Sequence, residues 1–290
     1  MYGQHESTWG IKIVNYLFLA GMGAGALAVG ASLHLIAGWE QVLLPAAVLG
    51  IVLVSAGSLF LVADLGRPLN FWKVLSNPAS SMISIGAWIL TLFLVVAAGF
   101  LLMANAGGPP GWIRSLSWAS VVLALATASY TGVLLGVVKA RPFWNNPLLP
   151  VLFTVSALST GSGALGLVDL FQGGAEFQLL GQAEMGFILL ESVMVFLYLA
   201  IMNHSTVDAM RSVRLVVSGR LALPFWGGVV GLGLFVPLFS YLFLPGETGV
   251  AMGAVATLGG GYFLRHTFMF AGLRPLLPGE ALEASFLVKR

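Results

Sequence analysis

Apolar residues along this chain gather into long blocks separated by short polar stretches. The blocks lie near residues 9–37, 41–63, 82–105, 112–138, 147–168, 181–202, 223–244 and 249–272. Each is close to the roughly 20 residues that carry a helix across a bilayer. Because no water reaches the backbone there, a helix that satisfies its own N–H and C=O groups is the expected form. The pattern predicts an all-α membrane protein of about eight transmembrane helices. The first block follows a short polar opening, Tyr2 to Thr8, carries Lys12, and is not followed by a small-residue cleavage site and a soluble domain. It is expected to be a retained helix rather than a signal peptide.

Composition agrees, with 58% apolar and only 8% charged residues against about a quarter charged in soluble domains. Of 13 Lys and Arg residues, all but Arg114 fall on the side that holds the N-terminus, here side X; the opposite side is Y. The positive-inside rule then predicts cytoplasmic termini in a prokaryotic inner membrane. The longest connections, Asp64 to Ser81, Asn203 to Leu221 and the tail after Gly272, also lie on X. A partner is expected to dock there, and none of these connections is long enough to be a catalytic domain. Two small-residue patches echo each other, Gly23-Ala24-Gly25-Ala26-Leu27 and Gly161-Ser162-Gly163-Ala164-Leu165. Such patches let helices approach closely. They fit a parallel repeat of two four-helix bundles, residues 1–140 and 141–290, with chance recurrence in a Gly-rich chain as the alternative.

The absence of cysteine excludes a thiolate-held iron–sulfur cluster or a disulfide in this chain. No phosphate loop, nucleophilic triad, metal-ligand cluster or nucleic-acid motif is visible. His204 and His266 alone approach the same side closely enough to suggest paired axial ligands, and no haem is expected. Asp64 and Arg67, three residues apart at the end of the second span, are placed to pair at the membrane edge. Gly66 and Pro68 then end the helix. That pair reads either as a structural ion pair or as a carboxylate held beside a ligand cavity. Tyr130 and Thr131 in span four, and Tyr16 with Lys12 one turn earlier in span one, lie at a similar depth toward X. Glu191 is the one carboxylate near mid-span, where an ionisable side chain points to function. Glu184, seven residues earlier, and His34 extend a candidate proton path from it to Y. A secondary transporter using Glu191 is the rival reading.

The segments Tyr16-Leu17-Phe18-Leu19-Ala20-Gly21-Met22-Gly23-Ala24-Gly25, Asp64-Leu65-Gly66-Arg67-Pro68, Asn77-Pro78-Ala79-Ser80-Ser81-Met82 with Gly86-Ala87-Trp88, and Tyr130-Thr131-Gly132 together resemble the NrfD/PsrC family. The likeness runs from span one to Arg265-His266 in span eight. It implies a membrane anchor of a respiratory oxidoreductase complex that carries no haem or cluster. Such an anchor exchanges electrons between menaquinone or ubiquinone and a ferredoxin-like iron–sulfur subunit. That subunit in turn serves a molybdopterin catalytic subunit or a multihaem cytochrome, and lipid surrounds the assembly.

In the polysulfide-reductase branch the quinone head lies near the partner-facing ends of the first bundle, and Tyr130 matches a tyrosine of that site. The resemblance therefore implies a quinone site of Lys12, Tyr16, Asp64, Arg67 and Tyr130, with Asp64 and Tyr130 closest to the chemistry. Tyr16 and Lys12 stand where that branch has His and Asn, a departure at two positions of proton exchange. A second departure is sidedness. Many members dock their hydrophilic subunits outside the cytoplasmic membrane, whereas here the motif-bearing face is the basic one.

Overall fold

The computed structural model describes residues 10–64, 72–76, 81–244 and 246–274. All regular structure among them is helical: α1 (Ile11–Ala37), α2 (Leu43–Asp64), α3 (Trp72–Ser76), α4 (Met82–Asn105), α5 (Pro110–Gly136), α6 (Leu148–Phe171), α7 (Phe177–Asn203), α8 (Val207–Val217), a π-helical segment (Pro224–Phe235) running into α9 (Val236–Phe243), and α10 (Gly246–Ala271). Seven helices among the described residues are long and apolar enough to cross a membrane, the π segment and α9 counting together as Pro224–Phe243. The protein is a multi-pass membrane protein. The eighth expected span coincides with α10, whose Glu247 and Arg265 and many glycines make it less apolar than the others.

The helices end where local chemistry predicts. Gly38 at φ 72° closes α1 by returning its N–H to the His34 carbonyl at 3.0 Å, a left-handed turn that favours glycine. Ser81 caps α4 through Ser84 N–H at 3.2 Å, and Thr206 caps α8 through Ala209 N–H at 3.2 Å, each satisfying a donor that the first helical turn leaves free. Asp169 at the end of α6 accepts the Glu176 N–H at 2.9 Å and so fixes the turn into α7.

Helix α1 is the hub, the most buried of the seven apolar spans, whereas α2 leaves most of its surface toward the outside. It packs on α2, α5, α6 and α10; α4 packs on α2 and α5; α6 packs on α7 and α10; and α10 packs on the π segment and α9. Helix α1 meets α6 through the two echoing patches. A Cβ on Gly25 would stand 1.8 Å from the Ala157 carbonyl oxygen, and one on Gly161 would stand 2.2 Å from Ala26 N. Backbones this close require glycine, because no other residue lets the chains approach without displacing one of them. The π segment meets α10 in the same way, with a Cβ on Gly260 reaching to 1.9 Å of Gly233 Cα. Its hydrogen bonds step back five residues, as from Val236 N–H to the Gly231 carbonyl.

Two features of the X side differ from the sequence reading. The connection from Asn203 to Leu221 contains a helix, α8, with Ala209, Ser212, Val213 and Val216 turned inward and Asp208 paired with Arg211 at 3.0 Å outside. Arg265, counted with the surface cations of X, is fully buried. It therefore contributes nothing to the charge of that face.

Candidate functional site

At the X ends of α1, α2, α4 and α5 the fold gathers four of the residues expected to form a site. Lys12, in the first turn of α1, donates from Nζ to the Ala63 carbonyl at 3.0 Å, next to Asp64 at the end of α2. Tyr16 follows one turn later and is wholly buried. Its hydroxyl has no hydrogen-bond partner among the described residues, and it is near enough to Tyr130 to interact electrostatically. Tyr130, on α5, donates its hydroxyl to the Met82 carbonyl in the first turn of α4 at 3.0 Å. Its ring lies on the bare backbone of Gly86, where a Cβ would come within 1.9 Å of Tyr130 Cζ. The Gly86-Ala87-Trp88 motif thus has a local reason: glycine opens the slot that holds the tyrosine.

Arg67 and its expected pairing with Asp64 lie outside the described residues, as does most of the segment from Asn77 to Ser81. Asp64 itself is half-buried. Thr131 is buried and bonds back to the Ala128 carbonyl at 2.6 Å, so it serves its own helix.

The residues expected to form the proton path separate into two places. Glu184 and Glu191 are buried on one face of α7 and interact with each other. His34 instead lines a cavity of about 740 Å³ at the Y ends of α1, α2, α4 and α5, together with Glu40, Asn105 and Arg114. Around the two glutamates are residues that the sequence reading passed over. Tyr241 of α9 donates to Glu184 Oε2 at 2.5 Å, and Thr257 of α10 stands within hydrogen-bonding reach of the same carboxyl. Ser156 and Ser159 of α6 stand within reach of Glu191. Arg265 of α10 donates to Ser156 Oγ at 2.5 Å and to the Gly261 carbonyl at 3.0 Å. Its guanidinium lies 5.9 Å from the Phe18 ring centroid and 5.7 Å from that of Phe153.

Among the described residues no cluster of three or more His, Cys, Asp or Glu is arranged to hold a metal ion. His204 bonds to the Ala200 carbonyl at 2.9 Å, and His266 packs on Phe270.

The X-side polar cluster sits within a chain whose sequence matches, over residues 3–275, the family described as Polysulphide reductase, NrfD. The chain belongs to the NrfD family. The C chain of the polysulfide reductase of Wolinella succinogenes is 31% identical over 94% of this chain and 98% of its own length. Protein NrfD of Escherichia coli is 30% identical, covering 91% of this chain and 94% of the relative. The C subunit of the selenate reductase of Mesobacillus selenatarsenatis is 24% identical over 83% of this chain and 68% of its own length. Two of these NrfD relatives carry names that make them parts of reductases, one of polysulfide and one of selenate. No cysteine occurs in the chain, so an iron–sulfur cluster held by thiolates has no seat in it.

Proposed function

We propose that this NrfD-family chain is the quinone-reactive membrane subunit of a respiratory oxidoreductase complex, with its quinone site at the X ends of α1, α2, α4 and α5. The observation that carries the reading is the buried Tyr16 hydroxyl, unpartnered among the described residues, beside Tyr130 and near the Lys12–Ala63 contact. A buried hydroxyl without an acceptor is costly, and a ligand carbonyl oxygen would satisfy it. The donor set therefore fits a quinone head.

A bound quinone supplies two-electron, two-proton chemistry. Tyr16 is the hydroxyl donor free to orient a carbonyl oxygen, and Tyr130, whose one hydroxyl proton goes to the Met82 carbonyl, would join it by turning that proton from Met82 to the ligand. Asp64 is the carboxylate suited to taking up or releasing a proton at that oxygen. Lys12, anchored on Ala63, brings positive charge to the same end, which favours electron-rich ligand states; Arg67, three residues after Asp64 in the sequence, is proposed to add to it. Electrons would pass to or from an iron–sulfur subunit docked on X, in a complex with a molybdopterin subunit or a multihaem cytochrome.

Two rings of neighbours, α1–α2–α4–α5 and α6–α7–α9–α10 with the π segment, support two four-helix bundles, with α10 as an eighth span. The abundance of basic residues on X supports cytoplasmic termini and cytoplasmic partners. The test is purification of the chain with whatever accompanies it. Co-purification of a cluster-bearing subunit and a bound quinone is the expected result. A bound solute with neither would favour a transporter, the reading that the buried Glu191 would otherwise invite.

A further inference from the structure

Three charged side chains lie sealed between α6, α7 and α10: Glu184 is 1% exposed, Glu191 5% and Arg265 0%. Glu184 and Glu191 interact with each other, and Glu191 interacts with Arg265. Among the described residues, the other titratable group facing them is Tyr241 of α9, bonded to Glu184, and α6 contributes the hydroxyls of Ser156 and Ser159. The set therefore holds two potential negative charges and one positive charge. In a low-dielectric interior a net charge is heavily penalised. With both carboxylates ionised the cluster would be anionic, and with both protonated it would be cationic. It is neutral when the two carboxyls share one proton.

A way in exists on the Y side. A cavity of about 170 Å³ is lined by Gln178, Gly181, Gln182 and Tyr241 among others, so the tyrosine that bonds Glu184 also faces that opening. Glu191 lies seven residues further along α7, two turns on and on the same face. The Ser159 hydroxyl stands beside it with no other partner among the described residues. We propose that Glu184, Glu191 and Arg265 form a proton-holding site of one exchangeable proton, reached from Y through the Tyr241 cavity. A proton arriving from the Y phase is taken by Tyr241 as its own hydroxyl proton passes to the Glu184 carboxylate. The proton then resides on either carboxyl, and Arg265 remains charged throughout. Arg265 is a positioning residue whose charge sets how many protons the pair retains. His34 takes no part, since it opens onto the other cavity. The inference stands apart from the quinone reading, because it concerns other helices and needs no electron transfer.

Infrared spectroscopy of the full-length purified chain at neutral pH reads this directly, through the carbonyl stretch of a protonated carboxylic acid and its shift in D2O. The parent should give the band of one buried acid. Glu184→Gln and Glu191→Gln should each abolish it, since the remaining carboxylate then balances Arg265. Arg265→Gln should double it. The charge-balanced pair Glu191→Gln with Arg265→Gln should restore the parental intensity, and it guards against misfolding of the single arginine variant. Absence of the band in the parent, or its survival in both single Gln variants, would overturn the site. Tyr241→Phe should slow the deuterium shift of the band several-fold without changing its area. An unchanged rate would overturn the proposed route, whatever quinone assays of the same complex report.

Discussion

A methyl group on Gly86 would stand 1.9 Å from Tyr130 Cζ and 2.1 Å from its hydroxyl oxygen. Gly86→Ala must therefore move the ring away from the Met82 carbonyl, whereas Tyr130→Phe leaves the ring in place and removes only the hydroxyl. Both should weaken quinone turnover in assembled complex, Tyr130→Phe by roughly tenfold, the equivalent of one hydrogen bond of about 1–1.5 kcal/mol. Steady-state quinol kinetics on equal amounts of assembled complex check this. Asp64→Asn should act in the same direction, and unchanged kinetics in it and in Tyr130→Phe would move the site elsewhere. Lys12, Tyr16 and Tyr130 were legible in the sequence because helical spacing and span direction fix their depth. Arg265 was not. Near a span end an arginine normally reaches water, and nothing in hydropathy says that this one turns inward. The available signal was the Ser156, Ser159 and Thr160 stripe on α6, a run of polar positions at helical spacing that needed a partner.

The α1–α6 junction is the element-scale feature most sensitive to a single atom. Gly25→Ala drives a Cβ against the backbone of Ala157, while Gly99 of α4 has nothing within 4 Å of its would-be Cβ. Gly25→Ala should lower thermal stability in detergent by about 1–3 kcal/mol, as overpacking does. Gly99→Ala should be neutral or stabilising by up to about 1 kcal/mol, reflecting helix propensity alone. Equal unfolding temperatures for the two variants would contradict the close crossing. Arg141 offers a second test, outside the spans. It donates to the Gly272 carbonyl and lies 4.9 Å from the ring centroid of Trp144, whose Nε1 donates to the Phe268 carbonyl at 2.8 Å. Burial and the neighbouring Arg274 hold its guanidinium below the usual arginine range. Arg141→Ala should loosen the end of α10 and cost about 1–2 kcal/mol of stability, read by the same unfolding assay. The spans themselves were plain from hydropathy. Helix α8 was not, because its apolar face alternates with Asp208, Arg211 and Arg214 and averages out. The π-helical hydrogen bonding of Pro224–Phe235 leaves no mark in apolar periodicity.

At the scale of the whole molecule, the absence of cysteine gives topology mapping a silent background. Single cysteines at Ser218, after α8, and at Thr248, at the start of α10, should label oppositely with an impermeant thiol reagent in sealed cells. Thr248 should be the accessible one if X is cytoplasmic. Labelling of Ser218 from outside would reverse the orientation and bring the partners to the outer face.

The position of α1 bears finally on how the protein is made. This most enclosed of the spans precedes α5, α6 and α10 in the chain, the neighbours that complete its surroundings. At about 5–20 residues per second of synthesis, α1 waits on the order of ten seconds for α6 and longer for α10. Throughout that interval Gly21 and Gly25, which face Arg265 of α10 and Ala157 of α6 in the finished fold, are presented to lipid or to whatever escorts α1 through insertion. The earliest helix is therefore the last to be enclosed, and biogenesis of this protein should depend on retaining α1 beside the insertion machinery until its distant partner arrives.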